Sequence, residues 1–241
     1  MARQSLDKLL VYKGLVASRA EAQALVMAGK VIVEGKATVK AGTLVTEAAV
    51  IKILEPLPFV SRGGLKLDYA LEQFHINVSG RIAVDIGAST GGFTDCLLKR
   101  GASQVYAIDV GYGQLDYRLR QDVRVTAMDR INARYPIILP EKANLATIDV
   151  SFISVEKVIP TVAKLLKPPS SLLVLIKPQF EAMRREVGKG GVVKESTIHA
   201  RVLGRFLTWM TERSYRLGGL VVSPILGASG NKEFFLLLRI T

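Results

Sequence analysis

The stretch Ala83–Thr94 reads AVDIGASTGGFT, and how it is read decides the fold. A short apolar strand ends on Asp85. The chain then turns on Gly87, Gly91 and Gly92, with Ser89 and Thr90 between them, and an amphipathic segment runs from Phe93 to Lys99. A strand, a glycine turn and a helix start in that order let the backbone bend sharply and a ligand lie against it. They also aim the free N–H groups of the first helical turn at whatever is bound. A nucleotide-like cofactor is expected. The spacing Gly87, Ser89, Gly91 is nevertheless not the GxGxxG of a dinucleotide fold, and a tight turn without a ligand uses the same residues.

What lies downstream favours the ligand. Four apolar strands follow and each ends on a charged residue: VYAID at Asp109, VTAMD at Asp129, LATID at Asp149 and LLVLIK at Lys177. In an open α/β sheet, ligands sit outside the carboxyl ends of the strands. With Asp85, these ends predict a row of carboxylates and one ammonium along a single crevice, on a Rossmann-like α/β sheet flanked by helices. An acidic residue about 20 positions beyond the glycine turn is where ribose hydroxyls are held, and Asp109 fits. Asp129 is suited to accept a hydrogen bond from an adenine amino group.

A chain of 241 residues with 49% hydrophobic content holds one domain of ordinary size plus a small one. The net charge of +12 is spread over both parts and predicts a polyanionic partner, nucleic acid first and an anionic membrane second. Cys96 is the single cysteine, so neither an intramolecular disulfide nor a Cys-based metal cluster is expected. It reads as a small buried hydrophobe in a reducing, cytoplasmic setting. The N-terminal MARQSLDKLLVYKGL lacks a signal-peptide apolar run, and the longest apolar stretches fall short of the roughly 20 residues that span a bilayer.

From Ser5 to Gly29 two helical patterns appear, with Leu6, Leu9 and Leu10, then Ala20, Ala24, Leu25 and Met27, on apolar faces. Ser18 and Glu21 read as a capping box and Gly29 as a helix stop. Short strands follow in VIVEG, in ATV near Val39 and in AVIKIL, giving a small α+β unit. The stretch LDKLLVYKGLVASRAEAQALVMAGKVIVEGK resembles the S-four-like RNA-binding module of a small-subunit ribosomal protein and many rRNA-modifying enzymes. That resemblance implies phosphate contacts by Arg3, Lys8, Arg19 and Lys30, which would supply affinity and register more than base specificity. Glu55 to Pro58 reads as the linker between a domain at 1–58 and a second at 59–241.

The second domain opens with PFVSRGGLKLDYALEQF, where Ser61, Gly63 and Gly64 are expected to break the chain ahead of a helical stripe and Lys66 reads as an exposed lysine. Between Glu181 and Glu195 a flexible basic loop carries Arg184, Arg185, Lys189 and Lys194, suited to clamp a polynucleotide backbone. Arg62 is taken with the RNA contacts. A helix from Ser196 to Arg213 carries His199 and Trp209, both read as packing or surface residues. A hairpin-like pair closes the chain, with Gly230 and Asn231 in its turn region and Glu233 at the start of the last strand.

Strand-end carboxylates around a glycine turn, with no metal cluster, no P-loop and no Ser-His-Asp set, favour cofactor-dependent group transfer. S-adenosylmethionine fits best: Asp85 near its amino-acid end, the backbone of Gly87, Ser89, Gly91 and Phe93 against it, Asp109 on the ribose and Asp129 near the adenine. Methylating a ribose hydroxyl needs the oxygen aligned and its proton removed. A lysine serves as base only in its neutral form, which desolvation or a neighbouring ammonium promotes, whereas flanking carboxylates are expected to orient it.

Lys66, Asp149, Lys177 and Glu233 match the Lys-Asp-Lys-Glu tetrad of FtsJ-like ribose 2′-O-methyltransferases. More narrowly, SRGGLKL, DIGASTGGFTDCLL, DVGYGQL, DVSFIS, KPQFE, VGKGGVV and GNKEFF together resemble the TlyA-type, or hemolysin A, family over nearly the whole chain. The likeness implies methyl transfer from S-adenosylmethionine to a cytidine 2′-hydroxyl in 16S and/or 23S rRNA, with Asp149 also near the cofactor. Two other classes are weighed against it. A membrane-lytic protein rests on the hemolysin label alone, and a non-catalytic RNA-binding assembly factor conflicts with an intact tetrad.

Overall fold

A computed structural model describes residues 3–27, 29–37, 40–53, 58–227 and 229–240. The chain divides into two units, residues 1–57 and 58–241. The first runs β1 (Arg3–Ser5), α1 (Leu6–Tyr12), α2 (Arg19–Met27), β2 (Val31–Val33), β3 (Lys36–Ala37), β4 (Leu44–Thr46) and β5 (Ile51–Ile53). Strand β1 pairs with β4, while β3, β2 and β5 form a three-stranded sheet. The β2–β3 hairpin turns on Glu34 and Gly35, at φ +48° and +76°. Left-handed backbone at both central positions suits the twist of a two-residue hairpin.

Leu6, Leu9 and Leu10 of α1 pack with Ala22, Val26 and Val31. The expected face of α2 is therefore shifted: Ala20 and Ala24 are exposed, and Met27 is 77% exposed. Ala22 and Val26 stand four residues apart on the side that meets the core. The capping box is also displaced. Ser18 Oγ accepts from the Glu21 N–H at 3.2 Å, but the Glu21 carboxylate accepts from Ala17 at 2.9 Å. Thr38, Val39 and the linker residues 54–57 lie outside the described residues.

Asp7 joins the two helices. It is 2% exposed and accepts from Arg19 Nε at 3.1 Å, Arg19 Nη2 at 2.8 Å and Gln23 Nε2 at 3.0 Å. Hydrogen bonds from Ser5 and then Arg19 hold its carboxyl well below the usual range.

The second unit runs α3 (Arg62–Gln73), β6 (Ile82–Ile86), α4 (Gly92–Lys99), β7 (Gln104–Ile108), α5 (Tyr117–Arg120), β8 (Val125–Met128) and β9 (Ala143–Ile148). It continues with α6 (Ile159–Ala163), β10 (Leu166–Ile176), α7 (Pro178–Glu181), α8 (Ser196–Glu212), β11 (Arg216–Val222) and β12 (Phe234–Ile240). One seven-stranded sheet has the order β11-β12-β10-β9-β6-β7-β8. Strands β6 to β10 are parallel, and β12 is antiparallel to both of its neighbours.

Side chains alternate across the pleat. Val174 and Ile176 face a core shared with α6 and α8, whereas Leu173 and Leu175 face one shared with α3 and α4. Gly63 and Gly64 do not break the chain but lie in the first turn of α3. Their role is space, since a Cβ on Gly64 would sit 2.2 Å from Phe59 Cγ. Cys96 is buried in the α3/α4 core, and burial pushes its thiol up.

Replacing Asp7 with Ala removes the charged acceptor whose hydrogen bonds from Arg19 and Gln23 join the two helices, at a cost of about 1.5–3 kcal/mol. Hydrogen exchange should accelerate in α1 and α2 and stay unchanged in β6 and β9. Because the Asp7 carboxyl is held low, its contribution is present above pH about 4 and is lost as the pH falls through the folded-state value.

Candidate active site

Four of the five parallel strands of the second unit stop where a charged residue begins, whereas β6 runs on past Asp85 to Ile86. Asp109, Asp129, Asp149 and Lys177 directly follow β7, β8, β9 and β10. Glu233 directly precedes β12, and the pairing Ile176↔Phe234 makes Lys177 and Glu233 the next residues on adjacent antiparallel strands. Continuing the alternation, Asp149, Lys177 and Glu233 fall on the parity of Leu145, Leu175 and Phe235, the side of the sheet that α3 covers.

Lys66 of α3 completes the row. Its Nζ donates to Glu233 Oε2 at 2.6 Å, and both side chains are buried. Lys66 is thus only 8% exposed, not the exposed lysine its neighbours in sequence suggest; the amphipathic stripe beside it cannot reveal an acidic partner 167 residues away. Lys177 Nζ lies 2.6 Å from Asp149 Oδ1 and donates to Ser151 Oγ at 3.0 Å. The contact with Asp149 is ionic and off the hydrogen-bond direction, so Asp149 Oδ1 is a buried acceptor without a hydrogen-bond donor.

The glycine turn is shaped by packing at each glycine. A Cβ on Gly87 would meet the Asp149 carbonyl oxygen at 2.5 Å, and one on Gly91, at φ +95°, would meet Leu119 Cδ1 at 2.3 Å. Ser89 adopts φ +48° and donates its N–H to Asp109 Oδ2 at 2.8 Å. Asp109 Oδ1 accepts from Gly111 at 2.7 Å, so the carboxylate spans the ends of β6 and β7. Asp129 accepts from Arg120 Nη2 at 2.7 and 3.0 Å, and this contact holds its carboxyl below the ordinary range.

Two expected cofactor residues are placed inward. The Phe93 side chain is 3% exposed and its ring centroid lies 6.0 Å from that of Phe235, so it is core; only its backbone is left to meet a ligand. The helical period that starts at Gly92 turns Phe93 onto the sheet. Asp85 is fully buried, accepting from Thr94 Oγ1 at 2.7 Å and Thr147 Oγ1 at 2.9 Å. Burial pushes its carboxyl up to about 6 against those hydrogen bonds.

The residues expected to touch RNA differ in how free they are. Arg3, Lys8, Arg184, Arg185 and Lys189 are exposed, and Lys30 is half-buried. Arg19 is bound to Asp7, as described above. Arg62 Nη2 donates to the Leu226 carbonyl at 2.7 Å, so it braces the loop ahead of Glu233. The segment expected to be a flexible loop is fastened instead. Asn231 Oδ1 accepts from the Val193 N–H at 2.9 Å, Asn231 Nδ2 donates to the Gly191 carbonyl at 2.8 Å, and His199 Nε2 lies 3.0 Å from the Val193 carbonyl. Basic and glycine content gave no sign of a buried asparagine 38 residues away.

Sequence reasoning assigned no role to Ser151, Phe152, Phe180 or Gly227. Phe152 is 91% exposed at φ +63°, with its ring centroid 4.9 Å from that of Phe180. A left-handed backbone at a bulky residue costs on the order of 1–3 kcal/mol and marks a position held for a purpose. Gly227 leaves room for the site acid, since a Cβ there would lie 2.3 Å from Glu233 Oε1. Ser151 and Phe152 lie within the DVSFIS motif and Phe180 within KPQFE, but only contacts reveal their parts.

Comparison with known proteins finds an FtsJ-like methyltransferase model over residues 59–240 and an S4 domain over residues 4–51. YqxC of Bacillus subtilis, by name a candidate rRNA methyltransferase, is 46% identical over 98% of this chain and 86% of its own. The 16S/23S rRNA (cytidine-2′-O)-methyltransferase TlyA of Mycobacterium tuberculosis is 42% identical over 99% of this chain and 91% of its own. A solved structure from Streptococcus thermophilus, titled as a hemolysin, is 42% identical with a TM-score of 0.77, covering 100% of this chain and 90% of that one. Bradyrhizobium japonicum N-methyltransferase NodS with S-adenosylhomocysteine, at 13% identity and a TM-score of 0.53 over 74% of this chain and 88% of that one, shares the fold.

Because the folded-state value of Asp85 lies near 6, above the unfolded one, the stability this group contributes is present below pH about 4 and is lost as the pH rises to about 6. Asp85→Asn removes the ionisation. Urea unfolding followed by Trp209 fluorescence should show the variant gaining on the parent between pH 4 and 6, by on the order of 2 kcal/mol. A constant difference across that range contradicts the assignment.

Proposed function

The chain belongs to the FtsJ-like methyltransferase family, and from that premise we propose that it transfers a methyl group from S-adenosylmethionine to a cytidine 2′-hydroxyl of 16S or 23S rRNA, or of both. The observation that carries this reading is the meeting of Lys66–Glu233 and Lys177–Asp149 at the carboxyl end of one sheet.

The acceptors at that end fit the cofactor. The Asp109 carboxylate suits ribose hydroxyls, and Asp149, whose Oδ1 is met by Lys177 Nζ at 2.6 Å, has its Oδ2 left for an ammonium. Asp129, engaged by Arg120, stands beyond them on the next strand for the adenine side. When bound, S-adenosylmethionine supplies a methyl group activated on a sulfonium.

The chain's residues do the rest. Lys177 Nζ, in its neutral form, takes the proton from the 2′-hydroxyl as the oxygen becomes a nucleophile. Asp149 and Ser151 fix where that nitrogen sits, and a positioned base contributes about 10²–10⁴-fold. Lys66, held by Glu233, offers a second cation for charge that develops on the oxygen. The exposed Phe152 ring, beside Ser151 and backed by Phe180, offers a face on which an unstacked base rests.

The S4 segment supports RNA as the partner, and Arg3, Lys8 and Lys30 are its phosphate contacts in this reading. Exposed Arg184, Arg185 and Lys189 extend the basic surface on a braced segment. An rRNA substrate places the protein in the cytoplasm. The lytic alternative draws on the hemolysin name alone, and no helix among the described residues is long and apolar enough to cross a membrane.

Lys177→Ala should abolish 2′-O-methylation of rRNA, mapped nucleotide by nucleotide in cells carrying either form, while calorimetry shows S-adenosylmethionine binding retained. Methylation at the parental level removes Lys177 as base. Phe152→Ala should lower kcat/KM for RNA by about 5- to 150-fold, the value of one stacked base. Cofactor affinity should be unchanged.

A further inference from the structure

One cleft of the second unit lies well away from the strand-end crevice. It has a volume of about 600 Å³ and lies at the opposite edge of the sheet, lined by Arg81, Ser170, Ser171, Arg216, Gly218 and Arg239 among others. Arg81 stands just before β6, Arg216 opens β11, and Arg239 is next to the end of antiparallel β12. From Ser171 to Ile176, β10 spans about 17 Å at the usual rise, which separates this cleft from Lys177.

Two features of the cleft call for an anion. First, Ser171, Arg239 and Arg216 form one cross-strand row, with Ser171↔Arg239 and Arg216↔Arg239 as direct partners. Like charges directly opposite in a sheet are destabilising, and among the described residues Arg81, Arg216 and Arg239 make no ion pair. Arg239 Nη1 is oriented by donating to Ser171 Oγ at 2.7 Å.

Second, the β11–β12 register slips between Leu217 and Gly219. A Cβ on Gly218, in that bulge, would lie 2.8 Å from Leu237 Cγ and 3.2 Å from Arg239 Nε, so glycine lets both the Leu237 and Arg239 side chains lie across the strand.

We propose that this cleft binds a phosphate group, held by the guanidinium forks of Arg81, Arg216 and Arg239. Guanidinium planes match phosphate oxygens two at a time, which explains arginine rather than lysine at all three positions. The phosphate is a phosphodiester of bound RNA or the terminal phosphate of a free nucleotide. A net charge of +12 favours the RNA backbone. In its RNA form the inference rests on an RNA substrate, but not on methyl transfer or its chemistry.

The test uses the full chain and the Arg216→Gln/Arg239→Gln double variant. Arg216→Gln alone is the second variant; that side chain is exposed and makes no ion pair among the described residues, so its loss should leave the fold intact. Retained S-adenosylmethionine binding reports folding. Binding of a labelled rRNA fragment is measured against KCl concentration, and pyrophosphate binding is measured by calorimetry.

For an RNA phosphate, the slope of log affinity against log salt should fall by about 1 to 2 in the double variant and by about 1 in the single one. For a free nucleotide phosphate, pyrophosphate should bind the parent and fail to bind the double variant, with the RNA salt slope unchanged. If both variants match the parent on both probes, the cleft is not a phosphate site. Methyl transfer is not the readout, so failure of the methylation reading and failure of this one are separable.

Discussion

The buried ion pair between Lys66 and Glu233 is the contact on which the rest of the second unit's site depends. Two charges taken out of water gain little net stability over well-packed apolar residues, but removing one partner leaves an uncompensated charge at a cost of about 3–5 kcal/mol. The pair therefore acts as a constraint more than as glue. It lets α3 meet the start of β12 in one register only. The surroundings are arranged to permit it, with Gly227 leaving space beside the Glu233 carboxylate and Arg62 fastening the Leu226 carbonyl.

From that constraint the convergence of the other groups follows. Strand β12 enters the sheet antiparallel between β10 and β11, so its first residue arrives where the parallel strands end. Glu233 is thus delivered beside Lys177 by topology alone. Side-chain alternation then turns Asp149, Lys177 and Glu233 toward the face that α3 covers. A parallel seventh strand would have carried its N-terminal residue to the arginine-lined edge instead.

The glycine turn acquires a different meaning in three dimensions. Gly87, Gly91 and Gly92 are each pressed against protein, by the Asp149 carbonyl, by Leu115 and Leu119, and by Ser61. These contacts bring the turn close to the ends of β7 and β9, and the Ser89–Asp109 hydrogen bond closes the same seam. A turn packed this tightly is preorganised, so a bound ligand need not order it.

The amino-acid sequence by itself determined what depends on near neighbours along the chain. Short apolar runs ending on Asp109, Asp129, Asp149 and Lys177 specified the strands and where they stop, because run length and the charge that closes a run are local properties. The strand–turn–helix at Ala83–Thr94 was legible for the same reason. Local pattern could not say that Phe93 belongs to the core, that Asp85 is sealed by Thr94 and Thr147, or that the 181–195 segment is fastened by Asn231. Nor could it place Met27 outside and Ala22 inside. Those facts depend on which distant surface a side chain meets. Only the tertiary structure decided that Lys66 is buried against Glu233 and that Arg216 faces Arg239, neither of them in an ion pair among the described residues. Partner identity in a folded chain is set by topology and packing between residues far apart in sequence, and no local period encodes it.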